Sequence, residues 1–355
     1  MLSHSLFGRL GDGRPVHEYV LDNGLGLCLR VLDYGGIVRE LWAPDAAGRS
    51  ANLVLGFDAL DDYLARNPYF GVIVGRYANR IAGGRFELDG QTHTLPANDG
   101  GHCLHGGAAG FGCQLWNAAP DTPREGEAVA LLLRHRSPQG DQGFPGTLDV
   151  SARYALSATE NAWRIDYQAH TDRPTVVNLS HHGYFNLAGQ GSIEGHELML
   201  PASRYTEVDA SLIPLGHAAV DGTPFDFRRA TTIGSRLRQP HPQLLRAKGY
   251  DHNWLLDAPA DGSLRLAAHV HEPISGRTLE LHSSEPCLQF YSGNFLDGSL
   301  SDGRRVFRQG DGLCLETQHA PDSPNHAPAP DWPSTVLRPG QTYRSSTLHR
   351  FGVRA

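Results

Sequence analysis

The chain has 355 residues, 40% of them hydrophobic, so it can bury a large core and does not read as disordered. Its formal charge of -7 is spread along the chain rather than gathered in blocks, which argues against a basic face for nucleic acid and leaves a polar small molecule as the expected partner. No apolar run approaches the ~18 residues of a membrane helix. The first residues, "MLSHSLFGRLGDG", carry no charged leader followed by an apolar stretch, and the five cysteines are odd in number, widely spaced and free of CxxC. The expectation is a reducing compartment, the cytoplasm, with no membrane association.

Taken in chain order, "GLCLRVLDY" (25–33) alternates like a strand after the Asn23-Gly24 turn. "DALDDYLARN" (58–67) reads as a short helix with Asp58 as N-cap. "GRYANRIAGGRF" (75–86) sets Arg76, Asn79 and Arg80 among apolar residues and glycines. "RFELDGQTHTL" (85–95) reads as strand on both sides of Asp89-Gly90. In "NDGGHCLHGG" (98–107) glycines flank His102 and His105, so backbone can approach a ligand closely. His102, Cys103 and His105 raise the question of a metal, but the spacing fits no standard zinc pattern.

Further along, "AVALLLRHR" (128–136) and "WRIDYQAHT" (163–171) read as strands. In "VVNLSHHGYFNLAG" (176–189), strand alternation puts His182 in a polar row with Asn178, Ser180 and Tyr184, and His181 in an apolar row with Leu179 and Phe185. Of the two, His182 is therefore the candidate for chemistry. "HPQLLRAKG" (241–249) reads as a helix ended by Gly249, and Asp251 follows at a turn before a strand. "RLAAHVHEP" (265–273) and "RTLELHSS" (277–284) form another strand pair. In "GLCLETQHAPDSPNH" (312–326), Glu316 shares a face with Cys314 and Gln318 inside an apolar strand, where a carboxylate is costly without partners. Strand–helix alternation is absent, so a parallel α/β fold is not expected. The prediction is an all-β fold, one large antiparallel β-sandwich with a few short helices.

A buried histidine and glutamate in one polar site can exchange protons near neutral pH. No GxSxG elbow, Walker loop or GxGxxG occurs, so the residues predict acid–base chemistry on a polar substrate, with no cofactor and no metal. The stretches "NPYFGVIVGRYANRIAGGRFELDG", "LHGG", "VNLSHHGYFNLAG", "GYDHNWLL", "LQFYSGNFLDG" and "LCLETQHAPDSPNH", in that order, resemble the successive motifs of the aldose 1-epimerases, the galactose mutarotases. The resemblance extends over nearly the whole chain and implies one domain over residues 1–355, with a β-supersandwich fold. It implies a free monosaccharide such as D-galactose or D-glucose as partner, with the protein a monomer or dimer. By the same resemblance Glu316 is the catalytic base and His182 the acid, and the sugar-binding positions are Asn79, Arg80, His105, Asp251 and Gln289. His181, Gly183 and Tyr77 depart from the family pattern beside the site. For His182 to act as an imidazolium, a nearby carboxylate is expected to raise its pKa. Three rival readings follow from the residues. One is a non-catalytic sugar binder. Another is a hexose 6-phosphate epimerase using Arg228, Arg229 and Arg236. The third is a glycoside hydrolase pairing Glu316 with Asp251.

Overall fold

The computed structural model describes residues 1–258 and 261–354. Three sheets carry the architecture. A five-stranded sheet runs Leu2–Arg9, Pro15–Asp22, Cys28–Leu32, Val38–Pro44 and Ser50–Asn52 in sequence order. A nine-stranded sheet has at its centre Glu127–Ser137, Leu148–Ser157, Ala162–Thr171, Tyr343–Val353 and Arg277–Ser283. A six-stranded sheet is ordered Tyr184–Phe185, Leu313–Gln318, Cys287–Tyr291, Asp251–Leu255, Arg204–Val208 and Pro214–Ala219. Neighbours in each sheet pair antiparallel.

The alternating segments behave as their pattern dictates. Arg277–Ser283 buries every second residue and pairs with Arg265–His271. Its apolar face joins a core shared by all three sheets, with Leu29, Leu131, Trp163, Leu279, Trp254 and Phe290 all buried. Each such aliphatic or aromatic side chain contributes roughly 1.5–3 kcal/mol by leaving water. The strands Leu313–Gln318 and Cys287–Tyr291 differ, since every residue in them is buried. Both faces of this part of the six-stranded sheet are covered, so polar side chains there face an enclosed space rather than solvent.

α-Helices are confined to Leu60–Arg66, Gly234–Leu237 and Pro242–Ala247, among the described residues. Two expected helix ends differ. Asp58 does not cap the first helix; the N-cap is Ala59, and the Asp58 carboxylate instead meets Arg304 at 3.1 Å. Lys248, at φ 57, ends the helix Pro242–Ala247 one residue before Gly249. The amide of Gly249 still reaches back to the Leu244 carbonyl at 2.9 Å, closing the last turn. The run 176–189 is not one strand. It breaks into Thr175–Val176, Ser180–His182 and Tyr184–Phe185, each pairing with a different partner. No helix among the described residues is long and apolar enough to cross a membrane.

Candidate active site

Three pieces of chain bring the candidate residues together. The short ladder of Arg80–Ile81 with Cys103–Leu104 pairs Arg80 with Leu104, so the next residues outward, Asn79 and His105, meet side by side. The His105 amide donates to the Asn79 carbonyl at 3.1 Å, and the Asn79 amide donates to His105 Nδ1 at 3.2 Å. Both residues sit in the left-handed region, at φ 64 and 52. Gly106 follows at φ 84, and a Cβ there would lie 2.0 Å from the Gly75 carbonyl oxygen. Only glycine allows that backbone crossing.

The second piece is Ser180–His182, paired with Val72–Val74. Alternation separates the two histidines. His181 enters the core, with its ring centroid 5.0 Å from that of Trp163 and neither nitrogen hydrogen-bonded. His182 faces the other way, beside Tyr69, His105 and Tyr184. The third piece is the six-stranded sheet, whose register places Asn253, Gln289 and Glu316 opposite one another on three neighbouring strands. Asp251, two residues before Asn253, shares that face and accepts a hydrogen bond from Gln289 Nε2 at 2.7 Å.

These pieces enclose a cavity of about 600 Å³ whose lining includes Asn79, Arg80, His105, His182, Asp251 and Glu316. That size suits a small-molecule ligand, for which ~300–1,000 Å³ is usual. Gln289, 3% exposed, sits between Asn253 and Glu316 on the same face, and its Nε2 holds Asp251 in place. Glu316 Oε2 and Gln289 Oε1 are buried without a hydrogen-bond partner, so acceptors stand ready for hydroxyl donors. A larger concavity of about 1130 Å³ lies over the nine-stranded sheet. Its one close histidine–carboxylate pair, His319 with Glu285, is already closed on itself at 2.7 Å, and its Arg153 is committed to Asp121 and Glu127.

His182 Nε2 and Glu316 Oε1 are 3.7 Å apart, with side-chain exposures of 5% and 3%. The expected rise in the His182 pKa is not what the structure gives. Burial lowers it to about 4. Burial pushes the Glu316 carboxyl well above the usual range, the Asp251 charge adds to the rise, and Arg80 opposes it. Desolvation penalises the charged form of each group. Burial thus disfavours the carboxylate of Glu316 and the imidazolium of His182 alike. His105 is likewise held neutral, first by burial and then by His182 and Arg80. With its Nδ1 accepting from Asn79, the His105 ring proton sits on Nε2, making that nitrogen a donor.

That tautomer bears on a metal. Donor atoms of His105, His182 and Glu316 lie within 4.8 Å of one another. A metal on His105 Nε2 would need the ring proton on Nδ1, which already faces a backbone N–H. The donor set thus suits hydroxyl groups better than a cation. Nor do His102 and Cys103 add ligands, for His102 Nδ1 accepts from the Gly83 amide at 3.0 Å and Cys103 is buried in an apolar cluster.

The sequence did not single out several residues of this site. Asp99 holds Arg80 Nε at 2.8 Å; its Asp-Gly context signalled only a turn. Tyr69, Tyr291, Phe295 and Lys248 also line the cavity. The three family departures flank it without lining it. Tyr77 is buried and donates to the Ala320 carbonyl at 3.3 Å, while a Cβ on Gly183 would press on Phe185 and His181. The phosphate-binding reading loses its arginines, because Arg228 is paired with Asp221 and Asp226, Arg236 donates to the Asp226 carbonyl, and none of Arg228, Arg229 and Arg236 lines the cavity.

Comparison with known proteins adds to this geometry. The family described as aldose 1-epimerase matches residues 17–350. A galactose mutarotase of Rattus norvegicus is 39% identical over 356 residues, covering 99% of each chain. An aldose 1-epimerase of Escherichia coli strain K12 is 39% identical over 344 residues, covering 96% of each. Among solved structures, a galactose 1-epimerase from Lactobacillus acidophilus superimposes with a TM-score of 0.87 at 28% identity, covering 100% of this chain and 99% of the other.

Proposed function

The chain belongs to the aldose 1-epimerase family, and from that premise we propose that this isomerase interconverts the α and β anomers of free aldoses such as D-galactose and D-glucose, with Glu316 as base and His182 as acid. The observation that carries the assignment is the buried Glu316–His182 pair, 3.7 Å apart, at the wall of a cavity rimmed with hydrogen-bonding groups. Residues 1–355 act as one domain on this reading, since a single apolar core cluster draws side chains from Tyr19 to Phe351. Five unpaired cysteines support a cytoplasmic setting. The partner is a free monosaccharide, with the protein a monomer or dimer, and the reaction needs neither metal nor cofactor.

Mutarotation requires one proton to leave the C1 hydroxyl and one to reach the ring oxygen as the C1–O5 bond breaks. Carboxyl plus imidazole carries the same number of protons as carboxylate plus imidazolium. A sugar whose O1–H donates to Glu316, and whose O5 accepts from His182 Nε2, favours the ionised arrangement. Glu316 then takes the O1 proton and His182 delivers its own to O5. The aldehyde turns about C1–C2, and the reversed transfers close the ring on the other face. Asp251 and the Asn79 side chain orient hydroxyls. Arg80 and His105 Nε2–H offer donors to developing negative charge on oxygen.

Polarimetry on fresh α-D-galactose and α-D-glucose tests the proposal. Fast equilibration by the wild type, reduced ~10²–10⁴-fold in Glu316→Gln and in His182→Ala, is expected. Near-normal turnover in either variant would sink the assignment. A methyl galactoside, with its C1 oxygen blocked, should remain unchanged; methanol release would instead point to hydrolysis.

A further inference from the structure

Cys314 lies two residues before Glu316 on the same face of Leu313–Gln318 and is wholly buried. Its Sγ is 3.5 Å from His182 Nδ1, within hydrogen-bonding reach for sulfur. The other ring nitrogen, Nε2, faces Glu316. One strand thus touches both nitrogens of the imidazole, a sulfur on one side and a carboxyl on the other. The aromatic groups around the ring are Tyr69, His105, Tyr184 and Tyr291, with centroids 5.0 to 6.4 Å away, and the ring also meets the backbone of His182 itself. Among the described residues no other side chain hydrogen-bonds to Nδ1.

We propose that Cys314 is a positioning residue: its sulfur accepts the Nδ1–H of His182 and so fixes Nε2 as the nitrogen that exchanges protons with the sugar. The inference rests on the reading of His182 as the acid. A neutral imidazole carries one N–H, and the partner of one nitrogen decides which. A carboxylate in the place of Cys314 would also fix the ring, but its charge would stabilise the imidazolium and weaken it as an acid. Sulfur holds the ring without adding charge. Burial, together with Glu316 and Asp251, pushes the thiol well above its ordinary range, so it stays protonated. Through the reaction Nδ1–H remains on the sulfur side while Nε2 gains and loses its proton.

The test is long-range proton–nitrogen NMR of the His182 ring in wild type, Cys314→Ser and Cys314→Ala, with kinetics on the same samples. The wild-type neutral ring should carry its proton on Nδ1. Cys314→Ser, which keeps an acceptor, should retain that tautomer and kcat within a few-fold. Cys314→Ala should show mixed tautomers and lose roughly tenfold in kcat with little change in KM, the pattern of a lost orienting contact. A wild-type ring protonated on Nε2 overturns the proposal without any variant. So does an alanine variant with unchanged tautomer and kcat. His182→Ala run alongside separates the two ideas, for full turnover there would remove the acid assignment itself, whatever Cys314 does.

Discussion

At the scale of single residues, the roles divide between chemistry and grip. Asp251 touches no reacting proton in the proposed scheme, yet it is fixed by Gln289 and faces the cavity. Asp251→Asn should therefore raise KM more than it lowers kcat, whereas Glu316→Gln should mainly lower kcat; steady-state kinetics with D-galactose separate the two. Glu316 also carries a cost in stability. Its folded-state pKa is raised, so it favours the fold at low pH and opposes it as pH rises through that value. Glu316→Gln should thus melt above wild type at pH 8 by calorimetry while losing activity. An equal or lower melting temperature there would contradict the account.

Among the elements, the loops around the cavity are where the backbone is least relaxed. Tyr69, Asn79, His105, Leu212 and Lys248 all line it and all have positive φ. Each such non-glycine residue costs on the order of 1 kcal/mol, held by the surrounding packing. Arg76 does much of this holding. It is buried, and its guanidinium donates to Ser137 Oγ at 2.8 Å and to the Pro145, Gly146 and Pro138 carbonyls at 2.8, 2.9 and 3.0 Å. It thereby ties the segment before Asn79 and Arg80 to the loop 137–146. Arg76→Met should destabilise the protein by about 3 kcal/mol or more, because carbonyls are left buried and unpaired. Denaturant unfolding measures this, and a loss under 1 kcal/mol would show that the knot is dispensable. Gly106→Ala should likewise lower both stability and kcat, since its Cβ meets backbone rather than a movable side chain.

For the molecule as a whole, acid is the predicted weakness. His182 and His196 are lowered to about 4, and His252 and His349 to about 3, in each case chiefly by burial. An unfolded histidine titrates near ~6.5. The unfolded chain therefore binds more protons below that pH, and stability that is full above it is lost as pH falls through 6.5 toward 3. The raised Asp251 and Glu316 work in the opposite direction and offset part of the loss. Melting temperature should fall steadily between pH 7 and pH 4, and a flat profile would show that these histidines are not buried neutral.

What the sequence determined by itself were properties carried by local pattern. Period-two alternation marked Ala162–Thr171 and Arg277–Ser283 as strands, because one face of each packs on the core. The same period separated His181 from His182, and an acidic residue within an apolar strand marked Glu316. The ordered motifs indicated the family. Tertiary structure decided what depends on distance and dielectric. The helix expected to be capped by Asp58 begins one residue later, with Ala59 as N-cap, and the Asp58 carboxylate meets Arg304, a residue far along the chain. Gln289 came to hold Asp251 through its amide, because sheet register set it on the face shared by Asn253 and Glu316. The His182 pKa fell instead of rising, because closing the sheets around the pair removed water from both groups. Spacing along a chain encodes which side chains share a face; it does not encode how deeply that face is buried.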